Sequence, residues 1–287
     1  MKKIILLPLI LAICAFSACS KKSDDSKAKF TVITSFYPVY IIAKNVAAEA
    51  DEVKVINMTP PITGCLHDYS ITAGDMKLIE KADLFLMNGA GMESFSHELT
   101  SRYPKINVRT LDRNVEIFEE NPHIWLSLDN MIKMISNCET VLSEADASNS
   151  ALYKKNAERY IAEIKSLQKE MHSALAKYKG RKIVTFHEAF PYFARELSFE
   201  IASVIEREPG SEPSAKELAE TVKIVKQSKV KSIFAEPQYP KSAAETIAKE
   251  TGVNLFVLDP AVTGPDDINA YINIMKQNLA VLKKAFD

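Results

Sequence analysis

The chain has 287 residues, 25% of them charged and 47% hydrophobic, with 36 basic against 37 acidic side chains. A formal charge of −1 excludes the basic face that nucleic-acid binding needs, and no segment after the leader is apolar enough to cross a bilayer. Four cysteines are too few for a disulfide-built scaffold, so the fold must rest on a hydrophobic core.

The N-terminus reads as a secretory leader. Lys2 and Lys3 precede an apolar run from Ile4 to Phe16, and small residues follow up to Cys19; such a run is too short to span a bilayer. Phe16-Ser17-Ala18-Cys19 resembles the bacterial lipobox. That resemblance predicts a signal peptide over residues 1–18 and diacylation of Cys19. Residues 19–29, rich in Lys, Ser and Asp, read as a lipidated flexible tether that holds a folded body beside a membrane. Loss of Lys2 and Lys3 with the leader leaves 34 basic residues against 37 acidic, a net charge near −3. Cys14 goes as well, leaving Cys65 and Cys138 as thiols of the folded body. The roughly 258 residues from Phe30 onward exceed what one core comfortably supports and predict two domains.

In chain order, Phe30–Phe36 alternates in β-formers and predicts a strand. Pro38 opens a helix over Val39–Ala50. Val53–Met58 is a second strand, followed by the loop Thr59–Ser70. Ala73–Lys81 predicts a helix, Leu84–Met87 a short buried strand, Asn88–Gly91 a turn, Glu93–Thr100 a helix and Ile106–Leu111 a strand. This β-α alternation implies a parallel sheet covered by helices. Leu126–Leu142 adds a helix and completes an N-terminal α/β lobe over residues 30–147. From Ser148 to Tyr178 there is neither Gly nor Pro, and Tyr160, Ile161, Ile164, Leu167, Met171, Leu175 and Tyr178 recur at helical spacing. One helix over residues 148–179, about 45 Å long at 1.5 Å per residue, is expected to connect two lobes; a long surface helix within one domain is the alternative. Residues 180–287 repeat the alternation. Strands are predicted at Lys182–Phe186, Phe199–Val204, Lys231–Ala235 and Leu255–Leu258. Helices are predicted at Ala189–Leu197, Ser214–Gln227 with a capping box from Ser214 to Glu217, Lys241–Thr251 and Asp266–Phe286. The fold class expected is α/β, two lobes of mainly parallel sheet flanked by helices and joined by one long helix.

Three of the five histidines sit in loops between these elements. His67 follows the second strand, His123 stands between Pro122 and the only tryptophan, Trp125, and His187 directly follows Lys182–Phe186. Asp259 follows Leu255–Leu258 in the same way. Loops leaving the carboxyl ends of parallel strands converge on one crevice, and three imidazoles with one carboxylate form a tetrahedral set suited to zinc. Each has an ordinary reading: His67 as a solvated loop residue, His187 as a helix cap, Asp259 as a turn former before Pro260. Their joint arrangement favours metal binding. Glu236, after Lys231–Ala235, faces the same crevice and could replace or flank Asp259. Cys65 is a further candidate contact, against a disulfide to Cys138 or a plain buried thiol. His97 and His172 fall within helices facing solvent, and Glu116, Glu119 and Glu120 read as a solvated face.

The segments Gly64–Tyr69, Pro122-His123-Ile124-Trp125, His187–Phe193 and Leu258-Asp259-Pro260, with the opening Thr34-Ser35-Phe36-Tyr37-Pro38, resemble those of the cluster A-I solute-binding lipoproteins of ABC importers. The resemblance covers essentially everything from Phe30 onward. It implies two α/β lobes with a metal between them, His67 and His123 coming from the first lobe and His187 and Asp259 from the second. It also implies an extracytoplasmic carrier that delivers its ion to a membrane permease. Manganese-type members usually carry Glu at the third position; His187 there favours Zn2+, with Mn2+ as the alternative cargo. Many zinc members have a long His-rich acidic loop before the second ligand, which here is reduced to Glu116–Glu120. A monomer anchored to the cell membrane is expected, with zinc affinity falling as pH drops toward the histidine range of roughly 6.5. A secreted zinc hydrolase would need an open coordination position and usually a His-Glu-x-x-His motif, and His187-Glu188 lacks the second histidine. The resemblance also permits a secondary role as adhesin.

Overall fold

The computed structural model describes residues 28–60, 63–67, 69–205, 214–238 and 242–287. The expected leader, the lipidation at Cys19 and most of the tether lie outside the described residues, as do Asp68 and the loop 206–213.

The first lobe runs β1 (Phe30–Thr34), α1 (Tyr37–Val46), β2 (Val53–Asn57), α2 (Ala73–Ile79), β3 (Leu84–Met87), α3 (Ser96–Arg102), β4 (Val108–Thr110) and α4 (Leu128–Ala145). Its strands are parallel in the order β2-β1-β3-β4. β3 is buried at every position, which is why it reads as an unbroken apolar run rather than an alternating one. α1 carries Pro38 in its first turn, where the missing N–H costs nothing, and buries Val39, Ile41, Ile42, Ala43 and Val46. It stops four residues short of the expected end, and Glu49 turns the chain with φ +64°. After β3, Gly89 adopts φ +80°, and a Cβ there would overlap the Asp112 carboxylate. The turn is held by Glu93, buried, which accepts from Ser35 Oγ at 2.7 Å, Asn88 N at 2.7 Å and Gly89 N at 3.1 Å.

α5 (Ser150–Leu175) is the long helix, with 3-10 turns at Ala147–Asn149 and Ala176–Tyr178. Its buried face is Tyr153, Ala157, Tyr160, Ile164, Leu167, Met171 and Leu175, the i, i+3, i+4 stripe of an amphipathic helix. That stripe packs on α1 and α4 of the first lobe and on α9 (Ala270–Phe286) of the second.

The second lobe continues with β5 (Lys182–Thr185), α6 (Pro191–Glu196), β6 (Glu200–Val204), α7 (Ala215–Ser228), β7 (Ser232–Ala235), α8 (Ser242–Thr251) and β8 (Asn254–Val257) before α9. Its strands are parallel in the order β6-β5-β7-β8. The Ser214–Glu217 capping box forms with both reciprocal bonds. α9 begins four residues later than expected because Asp266 and Asp267 serve the loop before it. Asp266 accepts from Tyr40 and Lys44 of α1, and Asp267 from the backbone N–H of Asn269.

The lobes are joined by more than α5. Trp125, fully buried, donates from Nε1 to Pro260 O at 2.8 Å and accepts at its own carbonyl from Tyr271 at 2.7 Å. Its ring meets Phe36 edge-on at 5.2 Å, a geometry worth about 0.5–1.5 kcal/mol beyond area burial. Tyr37 donates to Pro265 O at 2.8 Å and Asn45 to Ile268 O at 2.8 Å. One apolar cluster accordingly runs from the first lobe through α5 into α9 and parts of the second sheet, while a smaller cluster fills the space between that sheet and α7–α8.

Candidate metal centre

The carboxyl ends of both sheets face the seam between the lobes. His67 leaves the loop after β2, His123 stands at the start of the 3-10 turn Ile124–Leu126, and His187 lies two residues past β5. These three rings, distant in sequence, meet. His123 Nε2 is 3.2 Å from His67 Nε2 and 3.0 Å from His187 Nε2, and Cys65 Sγ is 3.5 Å from the same nitrogen. One donor atom from each of Cys65, His67, His123 and His187 lies within 4.8 Å of the others. His123 and His187 are buried; His67 is half-buried and lines a cavity of about 670 Å³ together with Glu119, Glu120 and Glu188.

Local contacts set the ring states. Asn121 Oδ1 lies 2.9 Å from His123 Nδ1 and also accepts the His123 backbone N–H at 3.0 Å. An amide oxygen only accepts, so the His123 proton belongs on Nδ1 and the Nε2 lone pair points into the group. Asn121 is itself fixed across the seam: its Nδ2 donates to Glu188 O at 2.7 Å, and its carbonyl accepts from Tyr192 Oη at 2.7 Å. Nothing in the sequence reading singled Asn121 out, though an Asn two residues before a candidate ligand is within side-chain reach of it. Burial pushes the His187 imidazolium down to about 4, with the neighbouring His67 adding to the effect. Burial and then His187 and His67 hold His123 well below the usual histidine range. The two buried imidazoles therefore stay neutral far below the ordinary value near 6.5, because desolvation penalises the charged form. The expected onset of acid protonation moves down accordingly.

The other expected residues divide. Glu236 directly follows β7 and is fully buried, near enough to Cys65 to raise its thiol electrostatically in addition to the larger effect of burial. Asp259 lies two residues past β8, but its carboxylate is outside the four-donor group. It accepts from Ala261 N at 2.8 Å, and burial raises its carboxyl above the usual range. Cys65 and Cys138 are both free thiols, so the disulfide weighed above is not formed: Cys65 turns into the seam and Cys138 into the core under α4. His97 and His172 are exposed as expected, His172 lying 3.3 Å from Glu196 Oε1.

A family profile described as zinc-uptake complex component A, periplasmic, matches residues 32–285. The chain belongs to that family. The zinc-binding lipoprotein AdcA of Streptococcus pneumoniae is 30% identical over 314 residues, covering all of this chain and 62% of AdcA. The chain thus spans about three fifths of that relative's length. The high-affinity zinc uptake protein ZnuA of Bacillus subtilis is 29% identical, with 96% of this chain and 93% of ZnuA covered. The crystal structure of Zn(II)-bound AdcA superposes with a TM-score of 0.79 at 30% identity, over 90% of this chain and 58% of that one. The laminin-binding protein Lmb of Streptococcus agalactiae, described as a bifunctional adhesin and metal transporter, gives a TM-score of 0.80 at 27% identity, over 90% and 100% of the two chains.

Proposed function

We propose that this zinc-uptake family member captures Zn2+ between its two lobes outside the cytoplasm and delivers it to the membrane permease of an ABC importer. The observation that carries the reading is the meeting of three imidazole nitrogens at His123 Nε2, 3.0 and 3.2 Å apart. With metal–nitrogen bonds of about 2.0–2.1 Å, a tetrahedral site has nitrogen–nitrogen edges of about 3.3 Å. The group therefore needs little rearrangement to accept the ion. Nitrogen donors suit zinc better than manganese, and the family and its zinc-binding relatives favour the same cargo.

In this reading His67, His123 and His187 bind directly, and a fourth, anionic donor completes the shell: Asp259, expected from the sequence, or Cys65, from within the group. Glu236, fully buried near Cys65, flanks the site. A shell closed by four protein donors carries metal rather than activating water, so we infer a binding protein and not a hydrolase. The chain then divides into a signal peptide 1–18, a tether 19–29 lipidated at Cys19, an N-terminal lobe 30–147, the connecting helix 148–179 and a C-terminal lobe 180–287, working as a membrane-anchored monomer.

Calorimetric titration of the full chain and of His187→Ala with zinc tests this. Loss of a direct ligand should exceed the cost of losing a residue that only orients one, so affinity is expected to fall more than about 100-fold. Unchanged affinity in the variant would remove the assignment.

A further inference from the structure

The three imidazoles leave one corner of a tetrahedron open to two donors of opposite character: a thiol from the first lobe or a carboxylate from the second. We propose that Cys65, as its thiolate, takes that corner, giving a three-nitrogen, one-sulfur shell with Asp259 outside it, and that this sulfur sets the preference for zinc over manganese. The proposal rests on the zinc-carrier reading above.

Geometry supports it. With zinc–nitrogen bonds of about 2.0–2.1 Å and a zinc–sulfur bond of about 2.3 Å, a nitrogen–sulfur edge spans about 3.5 Å. Cys65 Sγ lies 3.5 Å from His123 Nε2. The loop is built to present this sulfur. Gly64 turns it with φ +79°, and Leu66, fully buried, pins it into the core between the two donors. Cys65 and His67 therefore approach one point from a single anchored loop. Asp259, by contrast, contributes no atom to the donor group, and its Oδ1 accepts from Ala261 N at 2.8 Å. On binding, the zinc–sulfur bond forms and the thiol proton leaves to solvent, as thiolate ligation requires. Thiolate is a soft donor that favours zinc, whereas manganese favours carboxylate and water.

Cobalt(II) is the probe, because a four-coordinate site shows intense visible bands and a cobalt–sulfur bond adds a near-ultraviolet charge-transfer absorption. The full chain loaded with cobalt should show both. Cys65→Ser should keep the visible bands, lose the charge-transfer absorption and lower the ratio of zinc to manganese affinity by roughly tenfold or more. Cys138→Ala, in α4 and outside the donor group, should retain the charge-transfer absorption, which covers the case in which Cys65→Ser fails to fold. Visible bands without charge transfer in the unaltered chain would overturn the proposal and leave the three-histidine site standing. Charge transfer that survives in Cys65→Ser would overturn it too. Absence of all cobalt bands would remove the zinc-carrier reading together with the proposal.

Discussion

At His123 the chemistry depends on which ring nitrogen carries the proton, and Asn121 decides it. The same amide reaches across the seam to Glu188 O, so ring orientation and the fit of the lobes share one side chain. Asn121→Ala should lower zinc affinity by about 10–100-fold, the usual cost of losing a partner that orients a ligand. Competition with a chromophoric chelator would measure it, with circular dichroism to establish that the fold persists. Glu93 provides a residue-scale prediction away from the site. Its burial raises the carboxyl from 4.5 to about 7, against the three hydrogen bonds that lower it. A folded value above the unfolded one means its stabilising contribution is complete below about 4.5 and is lost as pH rises through about 7. Relative to Glu93→Gln, the parent chain should therefore lose stability across that window, by on the order of 3 kcal/mol. Urea midpoints at a series of pH values for both proteins would show it, and parallel profiles would refute it.

Among elements, α5 was the most legible in the sequence. Its apolar residues recur at helical spacing with no Gly or Pro to interrupt them, and its buried face in the fold is that same stripe. The ends were less legible: 3-10 turns flank the helix where a continuous α-helix was expected. Asp146 accounts for the start, its carboxylate taking hydrogen bonds from Ser148, Asn149 and Tyr153. Such local side-chain bonding competes with the helix and is invisible to periodicity. Ile164 is fully buried on the stripe and Lys165 beside it is exposed. Ile164→Ala should cost about 2–5 kcal/mol, and Lys165→Ala should stay within about 0.5 kcal/mol, both read from chemical denaturation.

On the scale of the whole molecule, the lobes share a core. Trp125 bonds to Pro260 and Tyr271, and one apolar cluster crosses from the first sheet through α5 to α9. Separate unfolding of the lobes would expose that shared surface, so unfolding should be a single transition. Trp125 fluorescence, which reports the seam, and far-ultraviolet circular dichroism, which reports helices in both lobes, are expected to give coincident denaturation curves. Two separated transitions would contradict the shared core. The same construction disfavours wide hinge opening, so metal release is expected to involve the loops around His67 and Asp259 more than rotation of a lobe.

Composition and periodicity by themselves determined the α/β alternation, the two parallel sheets, the long helix and the three loop histidines, because burial of apolar residues in regular elements leaves a repeating imprint on the chain. That Cys65 rather than Asp259 lies in the four-donor group is decided only by tertiary structure. Whether Cys65 or Asp259 lies nearer His123 depends on how the Gly64–Leu66 loop is pinned and on the turn in which Asp259 accepts from Ala261 N. Contacts between residues so far apart in the chain are set by the packing of the lobes, and no local pattern of residues encodes them.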